Sequence, residues 1–152
     1  MLGLGITMFT PTVLADHRAN IHHAWIADAP PVAKIRAGYL KLHNDGKHTI
    51  LIKDFNSPDF KRVELHKTVV EGGMVKMEEV KQLNIKPGEQ VEFKPGGYHL
   101  MLFNPKRKLK PGDKINFSIR FKDGITTTFT AEVKKRSGKM HQEHNHDHHN
   151  HH

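Results

Sequence analysis

Ile115-Asn116-Phe117-Ser118-Ile119-Arg120-Phe121-Lys122-Asp123-Gly124-Ile125-Thr126-Thr127-Thr128-Phe129-Thr130-Ala131-Glu132-Val133 carries one pattern twice. Ile115, Phe117, Ile119 and Phe121 alternate with Asn116, Ser118 and Arg120. That is the period of a half-buried strand, whose successive side chains take opposite faces. After Lys122-Asp123-Gly124, the positions Ile125, Thr127, Phe129, Ala131 and Val133 repeat it. Asp-Gly between two such runs is a strong hairpin signal.

Working outward, the same reading predicts strands over residues 22–28, 38–43, 49–55, 62–70 and 74–80. Three Lys-Pro-Gly turns, at Lys86, Lys94 and Lys110, punctuate the second half. Proline presets φ for the first central turn position and glycine accepts the positive φ that often follows. The strands between these turns differ, so they are not a repeat. No long amphipathic helix is apparent. Many short strands with frequent turns predict an all-β Greek-key sandwich or barrel.

The 152 residues divide into three parts. Residues 1–15 carry no charge, are mostly apolar from Leu2 to Leu14, and end on Val13-Leu14-Ala15. They read as a secretory signal peptide cleaved after Ala15, although no Lys or Arg precedes the apolar run. The segment is shorter than the roughly 20 apolar residues a spanning helix needs, so no stable membrane insertion is expected after cleavage. Residues 16–137 form the folded domain. Residues 138–152 are a low-complexity tail expected to be disordered.

The net charge is +8, from 24 Lys and Arg against 16 Asp and Glu. The basic residues are dispersed, and there is no recognisable nucleic-acid motif. A nucleic-acid partner is therefore not expected, and the charge would instead suit acidic partners or an anionic membrane face. There is no cysteine, which excludes a blue-copper electron-transfer site. No nucleophile with a paired base, HExxH motif or phosphate loop is present, and no enzyme activity is expected.

His66 is followed after ten residues by Met77, after twenty-one more by His99, and after one by Met101. Two imidazoles and two thioethers make a neutral, soft ligand set that suits Cu(I) better than Zn(II), Cu(II) or Mg(II). His99 and Met101 are two apart, so on a strand they share a side. If the hairpin around Glu71-Gly72-Gly73 is centred between Glu71 and Gly72, His66 lies directly opposite Met77. A longer or bulged loop would shift that register. His66 alternates with Arg62, Glu64 and Thr68 on the polar face of its strand. Singly, each of the four reads as an ordinary strand or core residue, and only together do they read as a metal site. Glu64 and Tyr98 lie nearby in sequence but receive no role.

This spacing, with Lys94-Pro95-Gly96-Gly97-Tyr98-His99-Leu100-Met101-Leu102 around its last two members, closely resembles the periplasmic copper chaperones of the PCuAC family. The resemblance covers about residues 25–133. It implies a cupredoxin-like β-barrel, a Cu(I) site of His66, Met77, His99 and Met101, and a periplasmic carrier acting as a monomer. It also implies delivery of copper to the CuA centre of cytochrome c oxidase, with Sco-type proteins as collaborators.

Half of the fourteen histidines lie in the tail: His141, His144, His146, His148, His149, His151 and His152, preceded by Met140. A flexible His-rich tract can wrap Cu(II), Zn(II) or Ni(II) without a preformed fold. Asn145, Asp147 and Asn150 interrupt it, unlike a purification tag. The competing expectation is a periplasmic metal-buffering or copper-resistance protein dominated by this tail. A third is an interaction module with no metal site in its folded domain. His17, His22 and His23 are weaker candidates, and His43 and His48 read as solvated.

Overall fold

The computed structural model describes residues 19–135. The proposed signal segment, the tail and His17 lie outside them. Among the described residues there are ten strands and no helix: β1 (Ala19–Ala27), β2 (Ile35–Asn44), β3 (Ile50–Asn56), β4 (Phe60–Glu71), β5 (Met74–Glu79), β6 (Leu83–Ile85), β7 (Gln90–Phe93), β8 (Tyr98–Pro105), β9 (Lys114–Phe121) and β10 (Thr126–Lys134). β6, β7 and β8 are additions to the strands read from the sequence, which put His99 and Met101 on a strand only conditionally. At three and four residues, β6 and β7 are too short to show an alternation.

The strands form one open sheet, ordered β5-β4-β8-β7-β2-β1-β10-β9-β3-β6. β2 spans the middle, pairing with β8 through Ile35–Gly38 and with β7 through Leu40–His43. β1 and β10, nearly the first and last parts described, run parallel, as Trp25↔Glu132 and Ile26↔Val133. The sheet curls on itself, so that a single core gathers inward residues of β1–β4 and β6–β10, among them Ile26, Leu42, Ile52, Leu65, Ile85, Leu102 and Ile119. The architecture is all-β and cupredoxin-like, as expected. Phe55 meets Phe93 edge-on at 5.9 Å, and Phe60 stacks near Phe117 at 6.2 Å.

The alternation that opened the reading sets the β9–β10 hairpin, with Phe117↔Phe129 and Ile115↔Ala131 in register. All three Lys-Pro-Gly turns close by a bond from the fourth residue's N–H to the lysine carbonyl, at 3.0, 3.0 and 3.1 Å. Their glycines, Gly88, Gly96 and Gly112, all have positive φ. These are type II turns, the conformation that Pro-Gly favours.

The β4–β5 hairpin departs from the expected register. Gly72 and Gly73 have φ of 58° and 76°, and they form a two-residue loop closed by the Glu71↔Met74 pair. Two consecutive positive-φ residues are what a type I′ hairpin turn requires. The hairpin therefore centres between the glycines. His66 lies opposite Glu79 and Met77 opposite Thr68, not His66 opposite Met77. The shift is by two positions, so Met77 keeps the face it shares with His66.

Candidate metal centre

β4 and β8 run antiparallel in the register Glu64↔Met101, Leu65↔Leu100 and His66↔His99. Leu65 and Leu100 turn into the core, so the intervening Glu64, His66, His99 and Met101 lie on the opposite face. The two imidazole centroids are 6.0 Å apart. His99 is buried, and the His66 side chain is 13% exposed.

Each ring commits one nitrogen. His99 Nδ1 lies 3.0 Å from the carbonyl oxygen of Gly97. A carbonyl only accepts, so Nδ1 carries the hydrogen in this contact and Nε2 keeps its lone pair. His66 Nε2 lies 2.8 Å from Glu64 Oε2, which by the same logic leaves Nδ1 as the free base. His99 Nε2 and His66 Nδ1 are both buried, and neither has a hydrogen-bond partner. A buried polar atom left unpaired costs about 1–3 kcal/mol. Two of them on facing rings form a pair of Lewis bases held in place by their outer partners, as metal-binding histidines commonly are.

Glu64 is itself held. Arg62 Nε lies 2.7 Å from its other oxygen, and the Arg62 guanidinium sits 4.3 Å from the Phe103 ring centroid. Phe103, Arg62, Glu64 and His66 thus form one chain of contacts. Glu79, opposite His66, has its carboxyl held below the ordinary value, first because Lys81 donates to it, with desolvation opposing. The charges of Lys81 and Arg62 help in turn. Sequence reasoning passed over Glu64 and Glu79. The available signal for Glu64 was its two-residue spacing from His66, which places both on one strand face.

The sheet brings His66, His99 and Met101 together, with Met101 half-buried one step along β8 from His99. Met77 lies diagonally across the β4–β5 ladder from His66, two residues off its register. Met77 is 59% exposed on the edge strand β5, at the level of Thr68. Met101 lies at the level of Glu64, four residues or ~13 Å away along the strand direction. Among the described residues no group of three or more His, Asp or Glu side chains is gathered as a metal site. The donors present are two imidazoles and a thioether, a set suited to a soft d¹⁰ cation.

The remaining described histidines differ. His43, expected to be solvated, is half-buried: its Nδ1 pairs with Asp45 and its Nε2 contacts the Gly88 carbonyl at 3.2 Å. His22 and His23 are exposed on a bulge of β1, their rings 6.5 Å apart. His48 is exposed. Tyr98 turns away from the imidazoles, against Phe93 and Lys67. Met140 and the seven tail histidines lie outside the described residues.

The LpqE-like family model matches residues 19–133, most of the chain. The chain belongs to this family, which is the family of PCuAC domains. A relative from Leifsonia xyli subsp. xyli, Lxx21020, carries the name of a lipoprotein. It is 32% identical over 130 residues, covering 85% of this chain and 76% of its own. The solution structure of Cu(I)-bound DR1885 from Deinococcus radiodurans is 31% identical, covering 77% of this chain and 78% of that one, with a TM-score of 0.62. The copper-bound PCuAC domain of PmoF2 superposes with a TM-score of 0.63 over 76% of this chain and 91% of that one. At 19% identity, its likeness is one of fold.

Proposed function

We propose that this PCuAC-family chain is an exported copper chaperone that binds Cu(I) through His66, His99 and Met101, with Met77 supplying the fourth donor, and passes it to an acceptor. The observation that carries the reading is the pair of buried, unpartnered nitrogens, His66 Nδ1 and His99 Nε2, beside the Met101 thioether. Relatives add support, since DR1885 has been solved with Cu(I).

In this role the protein's residues bind and orient. The Gly97 carbonyl and the Glu64 carboxylate select the nitrogen that each imidazole offers. No anionic ligand is needed, so the set favours the singly charged ion over Cu(II). Met77, on an exposed edge strand, is the donor an incoming partner can reach first. The chemistry is ligand exchange, that of a carrier rather than a catalyst. The acceptor proposed is the CuA centre of cytochrome c oxidase, with Sco-type proteins as collaborators, in the periplasm. The lipoprotein name of a relative supports export. The tail, through Met140 and its seven histidines, would collect Cu(II) and raise the local copper concentration.

The test is an anaerobic Cu(I) competition titration against a chromogenic chelator. It uses the full chain, a form ending at Ser137, and that form carrying His99→Ala and Met101→Ala. One tightly held Cu(I) in the shortened chain, lost in the double variant, is expected. Copper binding that disappears with the tail would instead identify a buffering protein.

A further inference from the structure

The end of the molecule opposite the imidazole pair carries an unbalanced cluster of lysines. β8 runs from His99 to Pro105 and β4 returns from Phe60, paired with Pro105, to His66. The two ends are therefore six residues apart, or ~20 Å. At the far end, three connecting segments meet. Asn104 N–H donates to the Lys34 carbonyl at 2.6 Å, and Lys106 N–H donates to the Asp59 carbonyl at 2.8 Å. Lys34, Lys61, Lys106 and Lys108 surround one open hollow of about 350 Å³, and all four are exposed.

Charge pairing differs in degree between the two ends. Near the imidazoles, Lys41 pairs with Glu92, Lys76 with Glu71 and Lys81 with Glu79, while Lys67, over the Tyr98 ring, and Lys94 have no carboxylate partner among the described residues. At the far end the carboxylates are already committed. Asp59 and Asp113 both pair with Arg107, and Asp28 with the buried Arg36. Among the described residues, none of the four lysines has a carboxylate partner. The Pro30–Ala33 turn lifts Val32 out of this cluster, 87% exposed, and Ile35 beside it is 47% exposed. The other exposed large apolar residues described all belong to the β4–β5 hairpin.

We infer that this end is a peripheral docking surface for an anionic phospholipid bilayer, with Val32 entering the headgroup region and Lys34, Lys61, Lys106 and Lys108 lying over the lipid phosphates. Three features favour a bilayer over an acidic protein. The free cations are all lysines, hydrated point charges suited to a diffuse negative surface, whereas the one exposed arginine there spends its planar fork on two aspartates. The apolar element is a protruding tip, which a protein partner would have to meet with a matching pocket and a bilayer accepts at any position. The lysines come from three separate segments and spread over the end rather than lining one strand-sized track. Docked this way, the chain would hold the His66–His99 face away from the lipid.

The experiment is co-sedimentation of the full chain with phosphatidylcholine vesicles, with and without phosphatidylglycerol. It is run above the histidine titration range so that the tail histidines are neutral. Binding is expected only with phosphatidylglycerol and is expected to weaken with added salt. Lys34→Gln, Lys61→Gln, Lys106→Gln and Lys108→Gln together should lower the partition coefficient at least ~10-fold, given the attraction each lysine contributes near such a surface. A charge-matched variant, with glutamine at positions 41, 67, 76 and 81, should change it less than about twofold. Equal losses in the two variants would overturn the proposal in favour of undirected attraction by net charge. Binding to polyglutamate but to neither vesicle would overturn it in favour of an acidic protein. As a second readout, Val32→Trp should add emission that shifts to the blue with phosphatidylglycerol vesicles. Emission that stays water-like while the protein sediments would overturn the placement of the tip.

Discussion

His66 and His99 face each other across the β4–β8 ladder with opposite nitrogens engaged: Nε2 of His66 on Glu64, Nδ1 of His99 on the Gly97 carbonyl. The nitrogen left over is therefore Nδ1 on one ring and Nε2 on the other. A symmetric pair would have set the rings' free nitrogens at equal depth. Here the outer partners offset them, one nearer its backbone and one farther from it.

The Glu64 contact should matter to metal binding more than to folding. Glu64→Ala releases the His66 ring and leaves Arg62 without its carboxylate. Loss of such an outer partner typically costs 10- to 100-fold in metal affinity. Competition titration should show that loss in Cu(I) affinity, with Glu64→Gln, which can still accept a hydrogen bond, falling between. Equal Cu(I) affinity in all three proteins would sink the orienting role.

His99 sacrifices apo stability. Its Nε2 is buried and unpaired, so His99→Leu removes an uncompensated polar atom from a buried position. Thermal unfolding of the metal-free protein should show the variant at least as stable as the parent, within ~1 kcal/mol or better. The parent should gain stability on adding Cu(I), and the variant should lose that gain, because only binding to the folded state shifts the equilibrium.

The two thioethers should not be equivalent. Met101 is half-buried beside His99, and Met77 is exposed on the edge strand. Met101→Leu should weaken Cu(I) binding by about tenfold or more, or ~1.4 kcal/mol. Met77→Leu should weaken it by only a few-fold while slowing transfer to an acceptor ligand in stopped-flow exchange. A larger affinity loss at Met77 would show that β5 moves inward on binding.

Acid should act at the far end as well. Asp113 is held below its ordinary value of 3.8, first by the Lys110 backbone N–H, with desolvation opposing and Arg107 assisting. A carboxylate whose folded value is depressed contributes stability above its unfolded value and loses it as pH falls through the folded one. Asp113→Asn should therefore lower the melting temperature slightly at neutral pH. The two proteins should converge as pH falls through the depressed folded value, where the aspartate becomes protonated in both states. Parallel melting curves down to the lowest pH would remove Asp113 from the acid response.

Much of this was legible without coordinates. Alternation over residues 115–133 identified the last hairpin because each inward residue meets the core locally. The Lys-Pro-Gly turns were legible because Pro and Gly each encode a dihedral. The family was legible because four ligand-type residues stand at fixed spacing, the last two of them within one Tyr-His-Leu-Met stretch. β6 and β7 were not, since three or four residues hold too little pattern. The β4–β5 register was not, because Glu71-Gly72-Gly73-Met74 permits more than one hairpin centre and only the observed positive φ at both glycines selects it.

What the sequence determined alone was therefore the local physics: strands, turns and the kinds of donor atom available. Parity also fixed that His99 and Met101 share a face once they lie on a strand. What only the tertiary structure decided was the pairing of β4 with β8, whose partner residues are more than thirty apart in the chain. That pairing sets His66 opposite His99 and places Glu64 on the same face beside them. It also gathers lysines from three separate segments at one end, which in sequence look scattered. Cross-strand pairing is a long-range choice made by the whole core, and no local periodicity encodes it.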